Sequence, residues 1–412
     1  MGSSVKKQRK EVKKRDFEEW RISLREAFSR IPDPRDKRGK RYRLDDILIL
    51  ATYGTLWGFS DFVNMCAELE YHLPYFRKLL TLERIPSHDC FSATFAAIDP
   101  EHFITCFMEW LTQITSSRGK HVSIDGKAIR AACEKAHSKY VPYILNAFLV
   151  EEGVLFSQMK IDAKNNEIST IPEFLEWLDL NDSVVTIDAI GAQYEIADKI
   201  VSKGGVYVLP VKLNQPSLQQ DISEYLENYG DPDFDDISYL KTFDKDHGRM
   251  ETRKGYYSED VSCLKFHEKW KTVKAIGMLV RERIVLKDVT DKETGEIVNV
   301  DEVSQELVCY IMSAPIGAEQ FMQIARGHWK VELFHFSLDT AYMEDRCTAR
   351  KGNAMQNRSL LRKLVMNLAK LDDDPKMVRS SQKGRQIHYR HSYESCEKMI
   401  FGVLPRRYEE LM

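Results

Sequence analysis

Two short apolar runs, HVSID at 121–125 and VVTID at 184–188, each close on an aspartate that is followed by a small residue and a loop. Runs of this length and β-branched content read as buried strands. Ligands of α/β sheets collect outside strand ends of this kind. If the two strands are neighbours, Asp125 and Asp188 come close together, which is costly unless one is protonated or a cation is present. A hard divalent ion such as Mg²⁺ takes oxygen ligands and suits such a pair. Two strand-end loop acids with no shared chemistry fit the same pattern, and spacing alone leaves both readings open.

The surrounding pattern predicts a mixed α/β sheet. VPYILNAFLV (141–150) and VLFSQMKI (154–161) flank Glu151-Glu152-Gly153 as a hairpin. A helix is expected over Ile171–Leu180, introduced by Pro172, another over Tyr194–Val201, and a strand at VYVLPV (206–211). Before this stretch the periodicity is helical: Leu44–Trp57, then Asp61–Leu69 after a break at Gly58, a helix from Cys90 behind the Pro86-Ser87-His88-Asp89 turn, and Glu101–Ile114. After it, 249–259, 272–287 and 307–313 alternate like strands, with turn chemistry at Thr290–Glu296, and helices are expected at Ala318–Tyr342 and Asn353–Ala369. The predicted organisation is therefore a helical accessory region at 1–118, an α/β part at 119–213, a β-rich insertion at 214–313, the second α/β part at 314–371 and a basic tail at 372–412.

A third acid is offered by the helix around Arg326-Gly327-His328-Trp329-Lys330-Val331-Glu332, as Glu332. His328, Glu332 and His335 share one helical face, which also fits a His/Glu metal site of the helical di-iron kind. That site requires a second matching helix, and no such helix is evident. Net charge is only −3, yet Lys6–Arg15, Arg35–Arg43 and Lys376–Arg390 are three separate basic runs, a distribution that points toward phosphate. The eight cysteines contain no CxxC pair, which argues against a zinc ribbon and suits reduced thiols. No apolar run approaches the roughly 18 residues of a membrane span. The N-terminal residues lack the apolar core of a secretory signal.

Eight ordered stretches resemble the H-repeat-associated insertion-sequence transposases, a bacterial branch of the DDE transposases. They are IPDPRDKRGKRYRLDDILIL (31–50), IPSHDCFSATFAAIDPEHF (85–103), VSIDGKAIR (122–130), KNNEISTIPEFLEWLDL (164–180), the long VVTIDAIGAQYEIADKIVSKGGVYVLPVKLNQPSL (184–218), HGRMETR (247–253), RGHWKVE (326–332) and EDRCTARKGNAMQNRSLLRKL (344–364). The resemblance implies an α/β fold with a ribonuclease-H-like catalytic domain, interrupted by the β-rich insertion and preceded by an all-helical DNA-binding or accessory domain. It implies catalysis and metal binding by Asp125 of IDGK, Asp188 of TIDA and Glu332 of HWKVE, with two Mg²⁺ ions, or Mn²⁺ in their place. DNA contacts are expected from Lys127, Lys212, Asn214, Gln215, Arg249, Arg326, His328 and Trp329, and from Arg38, Lys40 and Arg41 of the second basic run. The expected partners are double-stranded transposon ends and target DNA, engaged by a homodimer in the cytoplasm, at the nucleoid. One departure stands out. The family glutamate is followed by Asn and then a Leu-His-Trp group, whereas here Leu333 replaces the Asn and one residue is missing before Leu338-Asp339. One residue turns a helix by about 100°. Glu344 is thus an alternative third acid, and a DNA-binding relative that does not transpose, or a metal-dependent nuclease, are alternative functions.

Overall fold

The computed structural model describes residues 23–80, 82–129, 141–161, 165–246, 249–265, 269–290 and 297–402. The first basic run and most of the Thr290–Glu296 turn lie outside the described residues. The chain divides into two compact units, 1–114 with 350–412, and 115–349.

The first unit begins with six helices: α1 (Leu24–Ser29), α2 (Leu44–Leu56), α3 (Phe62–Tyr71), α4 (Leu73–Leu79), α5 (His88–Ala97) and α6 (Pro100–Thr112). Ser23, Asp61, Ser87 and Asp99 cap α1, α3, α5 and α6 by accepting from the first-turn backbone. The Ser87 cap starts α5 two residues before the expected Cys90. Every residue of α2 is buried, as befits a helix apolar on nearly all sides. Its two first-turn acids are neutralised by arginines: Arg25 reaches Asp45 at 3.3 Å and Asp46 at 2.8 Å, and Arg43 reaches Asp45 at 2.9 Å.

The second unit is built on one nine-stranded sheet. Its strands are β1 (His121–Ala128), β2 (Tyr143–Leu149), β3 (Val154–Ile161), β4 (Val184–Ile187), β5 (Val206–Val211), β6 (Ser238–Asp246), β7 (Arg249–Ser258), β8 (Ala275–Thr290) and β9 (Ile297–Met312). They lie in the order β3-β2-β1-β4-β5-β9-β8-β7-β6. The β1–β4 and β4–β5 pairs are parallel and the others antiparallel. Four helices accompany the sheet: α7 (Glu167–Glu176), α8 (Tyr194–Ser202), α9 (Pro216–Leu226) and α10 (Gly317–Ala341). The helix expected from Ile171 starts at Glu167 because Asn166 and Ser169 form a capping box there, leaving Pro172 inside it. The segment 214–313 carries β6 to β9 but forms no sheet of its own. It opens with α9, and β9 pairs with β5 from Val208↔Met312 to Val211↔Cys309, so its strands continue the same sheet.

The remaining helices, α11 (Ala354–Leu371), α12 (Pro375–Arg379), α13 (Gln382–His391) and α14 (Tyr393–Phe401), belong to the first unit. α11 packs on α2 and α5, with Asn357 donating to the carbonyls of Phe95 and Ile98 at 2.8 Å each. By contacts the sheet-bearing unit ends at Ala349, so α11 falls with the helical unit, and residues 375–401 carry α12 to α14. The third basic run divides: Arg385 is buried and Arg390 pairs with Glu68 at 2.6 Å, while Lys376, Arg379 and Lys383 are exposed.

Candidate active site

Asp125 and Asp188 emerge from neighbouring strands. β1 and β4 run parallel in the register His121↔Val184 to Ile124↔Ile187, so the two aspartates are the next step of the ladder. There the strands part. β4 ends, and Asp188 becomes the N-cap of a 3₁₀ turn at Ala189–Gly191. β1 continues to Ala128, held only by β2. Asp125 therefore lies where the sheet opens rather than at its strand's last residue. The turn after Asp188 is braced from the loop after β5: Asn214 Nδ2 donates to Ala189 O at 2.6 Å and Gln215 Nε2 to Ala192 O at 3.2 Å.

Glu332 lies on the open side of α10, the helix that packs across β1 and β4. That packing is close because residue 327 is glycine. A Cβ there would come within 2.9 Å of the His121 ring. His328, in the next position, is buried against the sheet, its Nδ1 2.8 Å from Ser123 Oγ and 3.0 Å from Thr186 Oγ1.

The acids feel one another. Burial and then the charge of Asp125 hold Asp188 above the ordinary carboxylate range, although backbone N–H groups of Ile190 and Gly191 oppose this. Glu332 is raised by desolvation and then by Asp125, with Lys212 and Arg281 opposing. A fourth acid, absent from the sequence-based site, joins them. Glu167, the first residue of α7, is raised by burial and then by the charge of Asp188. It is hydrogen-bonded to Tyr143 and lies directly over Gly126, where a Cβ would meet its Oε1 at 2.4 Å and the Tyr143 ring at 2.3 Å. This carboxylate was missed because the helix was expected to begin at Ile171, which left Glu167 outside it, whereas the Asn166–Ser169 capping box starts α7 at Glu167. The glycine after Asp125 was the one available hint of a close approach.

These donors suit a divalent ion chemically. They are carboxylate oxygens, preferred by hard cations, and the upward shifts reflect crowded negative charge that a cation relieves. Among the described residues, no three His, Cys, Asp or Glu side chains converge tightly enough to hold a metal ion as they stand.

Several residues expected along DNA have partners within the protein. Lys127 is buried, its Nζ 2.7 Å from Asp339, 3.2 Å from Asp345 and 3.6 Å from Glu344. Burial alone would lower its pKa, but these three acids outweigh it and hold the ammonium charged. The same cluster encloses Glu344, which is fully buried and so poorly suited to serve as the third acid. His328 is likewise an internal pin, and Asn214 and Gln215 are braces. Arg326 is exposed and pairs with Asp244 at 3.1 Å. Lys212 is exposed, 3.5 Å from Glu306, and close enough to act electrostatically on Asp188 and Glu332. Trp329 is 40% exposed, with the Arg281 guanidinium 5.0 Å from its ring centre. The side chain of Arg249 lies outside the described residues. In the helical unit Arg38 and Arg41 are exposed, while Lys40 pairs with Asp33 at 3.2 Å.

A mixed α/β sheet with crowded acids where two parallel strands end defines a class of candidate hydrolytic or phosphoryl-transfer sites. The family described as "Transposase DDE domain" matches residues 116–368, and "DDE_Tnp_1-associated" matches residues 25–111. The chain belongs to this transposase family, alongside the H repeat-associated proteins. It is 32% identical to the H repeat-associated putative transposase YhhI of Escherichia coli, over 84% of this chain and 89% of that one. The same figures hold for the putative protein YbfL of that organism. The H repeat-associated putative transposase YbfD is 34% identical over 56% of this chain and 91% of its own. A solved piggyBac transposase synaptic complex with hairpin DNA aligns with 94% of this chain and 80% of that one, at 13% identity and a TM-score of 0.40, too low to define a shared fold. Among the described residues, no helix is long and apolar enough to cross a membrane.

Proposed function

We propose that this chain is an active DNA transposase of the DDE class, with Asp125, Asp188 and Glu332 holding two divalent ions, Mg²⁺ or in its place Mn²⁺. The observation that carries this reading is the parallel β1–β4 pair, whose register brings Asp125 and Asp188 out side by side where the sheet opens. A ribonuclease-H-like core is the matching fold, supported by the antiparallel β3-β2-β1 set continuing into the parallel strands β4 and β5. When bound, two divalent ions polarise the scissile phosphate and activate the attacking water or 3′-hydroxyl for an in-line displacement.

The chain's own groups then have definable work. Asp125 and Asp188 supply oxygen donors from fixed backbone, and Glu332 brings a third from α10. Asn214 and Gln215 hold the Asp188 turn. Lys212 offsets phosphate charge at the edge of the acids. In this reading Arg38 and Arg41, exposed on the helical unit, contact DNA phosphates, with affinity that falls steeply as salt rises. Two transposon ends have to be held together, so a homodimer on paired double-stranded ends, working at the bacterial nucleoid, is the matching assembly.

Incubating the protein with Mg²⁺, its flanking-end DNA and a plasmid target tests the proposal, and end cleavage followed by joined product is expected. Nicking without joining would instead mark a nuclease. Binding without nicking would mark a relative that no longer transposes, a reading favoured by Leu333 and the missing residue after Glu332.

A further inference from the structure

His335 lies three residues beyond Glu332 on α10 and is 8% exposed. Its two ring nitrogens meet different groups. Nδ1 is 3.1 Å from Asp125 Oδ2, and Nε2 is 3.2 Å from Asn146 Nδ2. Asn146 is fully buried on β2, directly across the ladder from Asp125. The orientation of its amide is fixed by a carbonyl: Nδ2 lies 3.0 Å from Ile144 O, which only accepts, so this atom is the NH₂ donor. The same donor faces His335 Nε2, which must therefore accept. A neutral imidazole has one donor and one acceptor nitrogen, so the proton resides on Nδ1 and is given to Asp125 Oδ2.

We propose that His335 is the positioning residue for Asp125, held in its Nδ1–H tautomer by Asn146 so that Oδ2 is fixed and Oδ1 is left to bind the cation. The proposal rests on Asp125 being a metal-binding carboxylate. It also removes His335 from the set of direct ligands, because both nitrogens are already engaged. A carboxylate tethered at one oxygen keeps its orientation while the cation comes and goes. In metal sites such supporting hydrogen bonds carry a large share of the affinity.

The test is Mn²⁺ binding to the full-length chain, followed by electron paramagnetic resonance, with cleavage kinetics in parallel. His335→Leu, which removes the donor, is expected to weaken Mn²⁺ binding about 10- to 100-fold. His335→Asn reaches Asp125 with an amide N–H near the Nδ1 position and is expected to keep affinity near the parent's. His335→Gln, whose amide extends toward the Nε2 position, is expected to bind as weakly as His335→Leu. Should the Leu variant fail to fold, the Asn and Gln variants decide, and equal affinity in those two overturns the proposal. Asp125→Asn separates the premises. If it binds Mn²⁺ as the parent does, the metal reading of the site is at fault. If it loses binding while His335→Leu does not, only the positioning role is overturned.

Discussion

Lys127 Nζ stands 2.7 Å from Asp339 Oδ1, so the residue two positions past Asp125 is tied to the C-terminal part of the helix that carries Glu332. With Asp345 and the buried Glu344 completing the cluster, Lys127 is an internal counter-ion. Lys127→Met should therefore act on stability before it acts on DNA. Removing one partner of a buried ionic group costs about 3–5 kcal/mol. Urea unfolding followed by circular dichroism should show a loss of that order. Unchanged stability with weakened DNA affinity would return Lys127 to the DNA-facing surface.

Lys212 gives the opposite expectation. It is exposed beside the acids, and Lys212→Ala should leave the unfolding midpoint nearly unchanged. A single phosphate contact contributes about one unit to the slope of log affinity against log salt. Fluorescence anisotropy over a salt series should show the slope reduced by about that amount, and an unaltered slope would exclude Lys212 from the DNA contacts.

The crowded acids carry a stability cost with a definite sign. Asp188, Glu332 and Glu167 all have folded pKa values above the ordinary range. Such groups favour the folded state when protonated, so stability falls as pH rises from the unfolded carboxylate pKa, about 4, through the folded values. Asp188→Asn should consequently melt higher than the parent at neutral pH without divalent ions, with the difference vanishing in acid, while cleavage is abolished and DNA binding persists. Added Mn²⁺ should raise the parent's melting temperature by mass action. Calorimetry across pH checks both, and a variant that melts lower at neutral pH would contradict the crowding.

His121 supplies an acid-side limit. Burial lowers its pKa from 6.5 to about 3, with the neighbouring His328 and Lys330 contributing. A depressed histidine favours the folded state while neutral, so its contribution erodes as pH falls below 6.5 toward about 3. His121→Asn should flatten the stability profile across that window. A profile as steep as the parent's would assign the acid limb to other groups.

Gly126 should tolerate no side chain. Gly126→Ala puts a methyl within 2.4 Å of both the Tyr143 ring and the Glu167 carboxylate, and overpacking of this kind costs about 1–3 kcal/mol. Adding Glu167→Ala should recover part of the loss. Double-mutant unfolding measures the coupling, and strictly additive losses would mean that the two residues do not meet.

The legible features of this molecule were local ones. The two apolar runs ending in Asp125 and Asp188 declared their strands, because β-branched runs and strand ends are short-range signals. The helices from Leu44, Phe62 and Gly317 showed through their periodicity. What stayed hidden depended on distant partners. Nothing near Lys127 in the chain signals that Asp339, Glu344 and Asp345 will enclose it. His328 was grouped with the cations expected along the phosphates, yet Ser123 and Thr186 of the sheet engage its ring. SYLKTFDKD at 238–246 was not among the strands named from the sequence, and becomes β6 with β7 as its partner along its whole length. α11 has the apolar periodicity of a sheet-covering helix, and its destination among α2 and α5 is decided by contacts that no window of sequence contains.

The β5–β9 pairing makes the far strands and the carboxylate-bearing strands one hydrogen-bonded plate. At about 3.4 Å per residue, the 16-residue strands β8 and β9 each reach roughly 50 Å. Every strand between that hairpin and the aspartates is hydrogen-bonded to the next, so any point along it stands at a distance from Asp125 and Asp188 that strand register sets. Under the proposed transposase reading, DNA lying along the hairpin would be cut at a spacing written into that register, and shifting the register would move the cut.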